Sequence, residues 1–408
     1  MDASVAAAGT LRRDVRVISL ISGAHFFSHF YQLVLPPLFP LLRTELDVSY
    51  SALGLLTTLF FIAGAVAQPA VGFVVDRYGA RSILLAGLAL MAASVAALGL
   101  APGYWTMIPL VIIGGLGNAV FHPADFAILN ASIHSSRLGR AYGWHGICGN
   151  LGWAAAPVAV LSLTALFDWR MALVVLGCLG LVGTVYLASQ GDAMADHRRP
   201  EKNASAPKTT LMADIGGLMT PAILLTFGFF MLTSMALIGV QTFVPIALAD
   251  FHQAPPDLAK DALTAFLLAG AVGTLGGGIL VDRYKRPELI VGLCLGAFTL
   301  IFLALALGGL SPILIVPVLA LSGALLGATS PSRDMIVRQK TLTGASGKVY
   351  GFVYSGLDLG AATMPPVFGW LIDRGNPQLV FVLVSAVVAV SLLTIIRVDR
   401  TKAVAAAD

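Results

Sequence analysis

Residues 72–81 read Gly72-Phe73-Val74-Val75-Asp76-Arg77-Tyr78-Gly79-Ala80-Arg81, and residues 278–286 read Gly278-Ile279-Leu280-Val281-Asp282-Arg283-Tyr284-Lys285-Arg286. Each runs from a glycine through three apolar residues to Asp-Arg-Tyr, ends in basic charge and closes a long apolar segment. A cluster that recurs about half a chain later implies two related halves. In a membrane protein, such a duplication is most simply a transporter that rocks one half against the other.

Composition supports the membrane setting. The 408 residues are 57% hydrophobic and 11% charged, against roughly 25% charged in an ordinary soluble domain. Mean hydropathy is +0.87. A soluble protein of this size could not cover its surface with so few charges. Apolar runs of about 20 residues read as membrane-crossing helices, whereas the alternating segments of about 10 residues that build a membrane barrel do not occur. The runs fall near 17–42, 50–75, 82–101, 104–131, 141–166, 169–189, 219–249, 260–281, 288–309, 312–335, 349–372 and 377–397. The fold class expected is therefore an all-α membrane protein with twelve transmembrane helices in two pseudo-symmetric six-helix bundles. The first bundle is expected over 1–190, a cytoplasmic linker over 191–215 and the second bundle over 216–408. Within the linker, Asp196-His197-Arg198-Arg199-Pro200-Glu201-Lys202 has the polar composition of a connector, not a domain.

The net charge of +4 and pI near 9.0 do not point to nucleic acid. With both termini inside, the cytoplasmic segments hold 20 of the 25 lysines and arginines, and the outer loops hold only Arg43, Arg170, Lys260 and Arg374. That bias sets the orientation. The first run follows Arg12, Arg13 and Arg16 and is too long and too polar-interrupted for a cleavable signal, so it reads as a span. Cys148, Cys178 and Cys294 all lie in apolar runs and suit neither a zinc site nor a disulfide framework.

The halves align at a separation of 208 residues. Pro37 matches Pro245, Pro123 matches Pro331, Gly152 matches Gly360 and Pro157 matches Pro365. Tyr142-Gly143 matches Tyr350-Gly351. Both repeats start and end on the same side, so they are related by an axis along the membrane normal.

On these residues the chain resembles the major facilitator superfamily over essentially its whole length. The match rests on Gly72, Asp76, Arg77, Gly79 and Arg81, echoed by Asp282 and Arg283. Within it, His29-Phe30 with Leu35-Pro36-Pro37-Leu38, and Gly117-Asn118-Ala119-Val120-Phe121-His122-Pro123, resemble the fosmidomycin-resistance branch of efflux pumps. In that branch an acidic residue follows the His-Pro pair directly. Here Ala124 intervenes and the acid is Asp125. The resemblance implies a monomer in the bacterial inner membrane, with the loop at 72–81 steadying one state and controlling switching. Asp76 is expected to cap neighbouring helices, with Arg137 and Arg140 as candidate partners.

Ionisable groups inside a bilayer are costly, so each needs a reason. In the first span Ser22, His25, His29, Gln32 and Pro36 fall at spacings of three or four, on one helical face. They read as a stripe that binds substrate or relays a proton, or as neutral histidines bonded within the bundle. In the fourth span Asn118, His122 and Asp125 share a face, and His122-Pro123 disturbs the helix. They read as a coupling or gating group, or as a brace for the kink. Arg333, in the tenth span, occupies the repeat position of Asp125. It reads as that residue's partner in a gate, as the grip on an anionic substrate, or as an arginine reaching the cytoplasmic surface. In the eleventh span Tyr350, Tyr354 and Asp358 recur every four residues. Asp358, matching Asn150, is the first choice for proton coupling. Trp144 and His145 read as interface residues of a span whose glycines serve packing. His134, His197 and His252 read as solvated loop residues.

The leading expectation is proton-coupled efflux of a small polar or anionic solute by alternating access. Uptake of an organic acid is the alternative. Transition-metal transport is weaker, because His25, His29, His122 and Asp125 show no tight ligand pair beyond His25 and His29. No cofactor or resident metal is expected. A membrane enzyme lacks a nucleophile–base set or a phosphate-binding glycine loop, and a sensor lacks an output domain. The expected partners are a small-molecule substrate, protons and the lipid bilayer.

Overall fold

Prolines decide where the long apolar runs break. A computed structural model describes residues 3–133, 137–191, 220–284, 286–340 and 346–405, and every regular element among them is helical. Helix α1 (Ala3–Gln32) stops short of Pro36-Pro37, where one 3-10 turn, Pro36–Leu38, leads into α2 (Phe39–Leu46). The first half continues with α3 (Tyr50–Tyr78), α4 (Ala80–Gly99), α5 (Tyr104–Asn118), α6 (Phe121–Ser132), α7 (Leu138–Leu166) and α8 (Trp169–Ser189). The second half comprises α9 (Pro221–Thr242), α10 (Val244–His252), α11 (Pro256–Tyr284), α12 (Pro287–Leu307), α13 (Pro312–Lys340), α14 (Ser346–Thr363), α15 (Pro365–Asp373) and α16 (Gln378–Ala405). The linker expected over 191–215 lies, Gly191 apart, outside the described residues.

Matched prolines do not always have matched effects. Pro37 and Pro245 both follow a break, at 33–35 and at Phe243. Pro123 follows the gap between α5 and α6, whereas Pro331 lies within unbroken α13. Pro157 is carried inside α7, but the pair Pro365-Pro366 starts a new helix at α15. A single proline removes one backbone donor, which a long helix can absorb; two in succession remove adjacent donors.

Among the described residues, nine stretches are long and apolar enough to cross a membrane, with Tyr104–Ser132 counted as one across the α5–α6 break. Helix α1 is not among them, since His25, His29 and Gln32 lower its hydropathy. The outward faces are apolar: Val182, Val185, Ile279, Leu293 and Leu300 are each 65–70% exposed. Such residues suit lipid contact, because the helices already satisfy their own backbone groups.

The chain divides into two compact units. Unit 1 is Met1–Leu38 with Ile62–Ala204, and unit 2 is Phe39–Phe61 with Ser205–Asp408. In unit 1, α1 packs on α7, and α4 packs on α5 and α8. In unit 2, α9 packs on α14, and α12 packs on α13 and α16. The two sets correspond through the sequence repeat. Glycine contacts repeat as well. A methyl added at Gly64 would lie 3.4 Å from the Gly115 carbonyl, and one at Gly270 would lie 3.5 Å from that of Gly323. A methyl at Gly152 would overlap the Phe26 carbonyl, and one at Gly360 that of Met231. These are the close helix approaches that small residues permit.

Within unit 2, the segment 39–61 is held by backbone-directed bonds. The Asp373 carboxylate accepts from the Tyr50 and Ser51 amides at 2.9 and 2.8 Å, capping α3. The Ser51 hydroxyl donates to the Pro366 carbonyl at 3.0 Å, and the Thr58 hydroxyl to that of Ala362 at 2.6 Å.

Candidate functional site

In unit 1, α1, α6 and α7 bring four histidines around one carboxylate. The α1 stripe predicted from spacing faces α7 at Gly149, where a methyl would sit 2.7 Å from His29 Nδ1 and 3.0 Å from His25 Cδ2. Glycine is what lets the rings approach. Asp125 is fully buried, and His25 and His145 are 2% and 3% exposed. Nε2 of His145 lies 2.9 Å from Asp125 Oδ2, within hydrogen-bond distance. Nδ1 of His25 lies 3.3 Å from the same oxygen but out of hydrogen-bond alignment, and it has no other partner. Asp125 Oδ1 is likewise buried without a partner. The His25 and His145 rings stack at 3.6 Å, and the ring centres of His29 and His122 lie 4.4 and 5.5 Å from that of His25. His122 is exposed.

One turn further along α1 the network becomes neutral. Gln32 Nε2 donates to Asn118 Oδ1 at 3.0 Å, and Trp153 Nε1 donates to Gln32 Oε1 at 3.1 Å. The Trp153 ring stacks on His29 at 4.1 Å. Gln32 thus uses both ends of its amide, which fixes its orientation.

Unit 2 builds a different cluster from the corresponding helices. The Arg333 guanidinium on α13 lies 4.5 Å over the Phe230 ring of α9 and 6.0 Å from the Tyr354 ring of α14. Phe230 and Tyr354 are themselves 5.1 Å apart. Cation–π contact steadies the arginine. Asp358 follows Tyr354 by one helical turn. It is half-buried and, among the described residues, makes no hydrogen bond or ion pair; the same holds for its counterpart Asn150.

The structure therefore unites His25, His29, His122 and Asp125, and separately Gln32 with Asn118, as the stripes on α1, α5 and α6 suggest. It also places Arg333 with Tyr354. Asp125 meets His145 and His25 within unit 1, and Arg333 meets Phe230 and Tyr354 within unit 2. Sequence reasoning missed His145 as a site residue and gave no role to Trp153 or Phe230. His145, Gly149 and Trp153 recur every four residues, a polar-and-small stripe that matches the one on α1. That was the available signal. His252 is a correction. It ends α10 and its Nε2 meets the Leu305 carbonyl at 3.0 Å, so it is not a solvated loop residue.

In the loop motif, Gly79 adopts a φ of 92°, a left-handed conformation that glycine tolerates without a Cβ penalty. Arg81 donates to the Ala188 carbonyl near the end of α8 at 2.9 Å, where a cation complements the helix dipole. Arg137 pairs with Asp14 at 2.6 Å. Arg283 is exposed. The side chains of Gly72, Asp76, Arg77, Arg140, Asp282 and Tyr350 lie outside those described, as do His134, His197 and Lys285.

Comparison with known proteins agrees with this architecture. The family model for the Major Facilitator Superfamily matches residues 21–254 and again 222–407. The chain is 26% identical over 367 residues to the uncharacterized MFS-type transporter YfnC of Bacillus subtilis, covering 88% of this chain and 87% of that one. It is 26% identical over 401 residues to the fosmidomycin resistance protein of Escherichia coli, covering 95% and 94%. A crystal structure of a mutant of the nucleoside transporter NupG superposes with a TM-score of 0.76 at 14% identity, covering 94% and 99%. A family model matched twice along the chain, relatives aligned almost end to end and a shared helical fold have one common reading: this chain is a member of the major facilitator superfamily of membrane transporters.

Proposed function

We propose that the chain is a proton-coupled exporter of a small polar or anionic solute, working by alternating access. The observation that carries this reading is the unit 2 cluster, in which Arg333 is held over Phe230 beside Tyr354 and Asp358 lies one turn beyond. An arginine held by aromatic rings suits a carboxylate, sulfonate or phosphonate group. A carboxylate without a fixed partner gains and loses a proton without breaking an ion pair. Protonation of Asp358 then biases the two transport states differently, which is what coupling requires. In unit 1 we assign His25, His29, Gln32, Asn118, His122, Asp125 and Asn150 to the polar path for substrate and protons. The E. coli relative named for fosmidomycin resistance favours outward movement over uptake of an organic acid. In this reading the protein is an inner-membrane monomer with both termini in the cytoplasm, bundles at 1–190 and 216–408, and a linker at 191–215. The lysine and arginine bias supports that orientation.

The test uses full-length protein in proteoliposomes under an imposed pH gradient, with fosmidomycin and short organic sulfonates as probes. Uphill movement of a probe is expected, lost in Asp358→Asn while exchange without a gradient persists. Uphill transport retained by Asp358→Asn removes Asp358 from coupling. Gradient-independent movement in the unsubstituted protein refutes proton coupling altogether.

A further inference from the structure

The histidine–aspartate cluster of unit 1 has a property that the transport reading does not use. Three donor atoms, on His25, Asp125 and His145, all lie within 4.8 Å of one another. The donor pairs His145–Asp125 and His25–Asp125 are 2.9 and 3.3 Å apart. Donors around one tetrahedral ion, each about 2.0–2.2 Å from the metal, are separated by roughly 3.3–3.5 Å. These two separations are close to ligand spacing, and the His25 ring, stacked on His145 at 3.6 Å, must turn for both ring nitrogens to face one ion. All three side chains are more than nine-tenths buried, and both His25 Nδ1 and Asp125 Oδ1 are buried with no hydrogen-bond partner. A buried polar atom without a partner is costly, and a cation that binds it removes that cost. The sequence did not suggest this site because the ligand that completes it, His145, lies on a third helix.

We propose that unit 1 binds one divalent transition-metal ion through His25, Asp125 and His145, with exposed His122 as the approach ligand. Two imidazoles and one carboxylate suit Zn²⁺, Co²⁺ or Ni²⁺ and disfavour Mg²⁺ and Ca²⁺, which prefer all-oxygen shells. The ion ties α1, α6 and α7 together and so stiffens unit 1. This inference is independent of the unit 2 reading, since neither Arg333 nor Asp358 takes part.

The experiment titrates Co²⁺ into purified full-length protein in detergent, after removal of any affinity tag, and follows the d–d absorption and the unfolding temperature. One saturable site of tetrahedral intensity is expected, displaced by Zn²⁺ and untouched by Mg²⁺, with Tm raised on binding. Asp125→Asn and His25→Gln are each expected to lower the affinity by at least about tenfold. The double variant His134→Ala/His197→Ala is expected to bind as the parent does. The proposal is overturned by absence of a saturable site, by full affinity in His25→Gln, or by loss confined to the His134/His197 variant. If Asp125→Asn is not monodisperse, His25→Gln decides, because it leaves the Asp125–His145 bond in place.

Discussion

Units 1 and 2 are built on one plan but carry different chemistry at the same place. In unit 1 the first, fourth and fifth spans of the half meet through His25, Asp125 and His145. In unit 2 the matching spans meet through Phe230, Arg333 and Tyr354. Arg333 stands 208 residues after Asp125, and Phe230 stands 205 after His25, the same separation that relates Met231 to Phe26 at the glycine contacts. The scaffold has kept its helix contacts while the side chains diverged. One unit buries a carboxylate among imidazoles, whereas the other steadies a guanidinium on aromatic rings. Duplication thus places a carboxylate–imidazole cluster and an arginine–aromatic cluster on one architecture.

Glycine 149 tests how far that difference depends on space. Its counterpart in unit 2 is Leu357. Gly149→Leu installs the unit 2 residue, and the added carbons collide with His25 and His29. Overpacking of this kind costs about 1–3 kcal/mol or more, so the largest effect expected is a marked fall in Tm in detergent, together with loss of Co²⁺ binding. An unchanged Tm would mean that the rings can move aside and that the cluster is not spatially constrained.

Arginine 333 tests the chemistry of the other unit. Arg333→Gln removes charge-assisted bonds worth about 1.5–3 kcal/mol, or roughly 10–100-fold in affinity. The fall is expected for sulfonate and phosphonate probes and not for a neutral solute of similar size, as read by the shift in Tm on ligand addition. Equal losses for both kinds of probe would favour a gating role over substrate grip.

The smallest effects should fall where the units are most alike. A methyl at Gly64 or Gly270 meets a carbonyl at ordinary van der Waals distance. Gly64→Ala and Gly270→Ala should each raise stability by about 0.4–1 kcal/mol, and by the same amount. A large cost at one position alone would show that the two helix pairs are less equivalent than their contacts suggest.

Much of this is legible in the amino-acid sequence. The α1 stripe of His25, His29 and Gln32 follows from a spacing of three and four, whereas the breaks after α1 and α9 fall inside the runs 17–42 and 219–249 that read as single spans. The Gly152 and Gly360 pair was visible as a match at 208 residues. Two things were not legible: the contact of His145 with Asp125, and the ring partner of Arg333. Each depends on which neighbouring helix lies opposite, and periodicity within one helix carries no information about its neighbour.

The amino-acid sequence by itself determined that the chain crosses a membrane many times, that it is duplicated, and which helical faces are polar. Those properties follow from local hydropathy, spacing and repetition, all written along one dimension. Only the tertiary structure decided that Asp125 lies against His145 and His25, and that Arg333 lies over Phe230. Such contacts join residues 20 to more than 100 positions apart, and they depend on the approach distance of packed helices, which glycine makes possible but does not by itself specify.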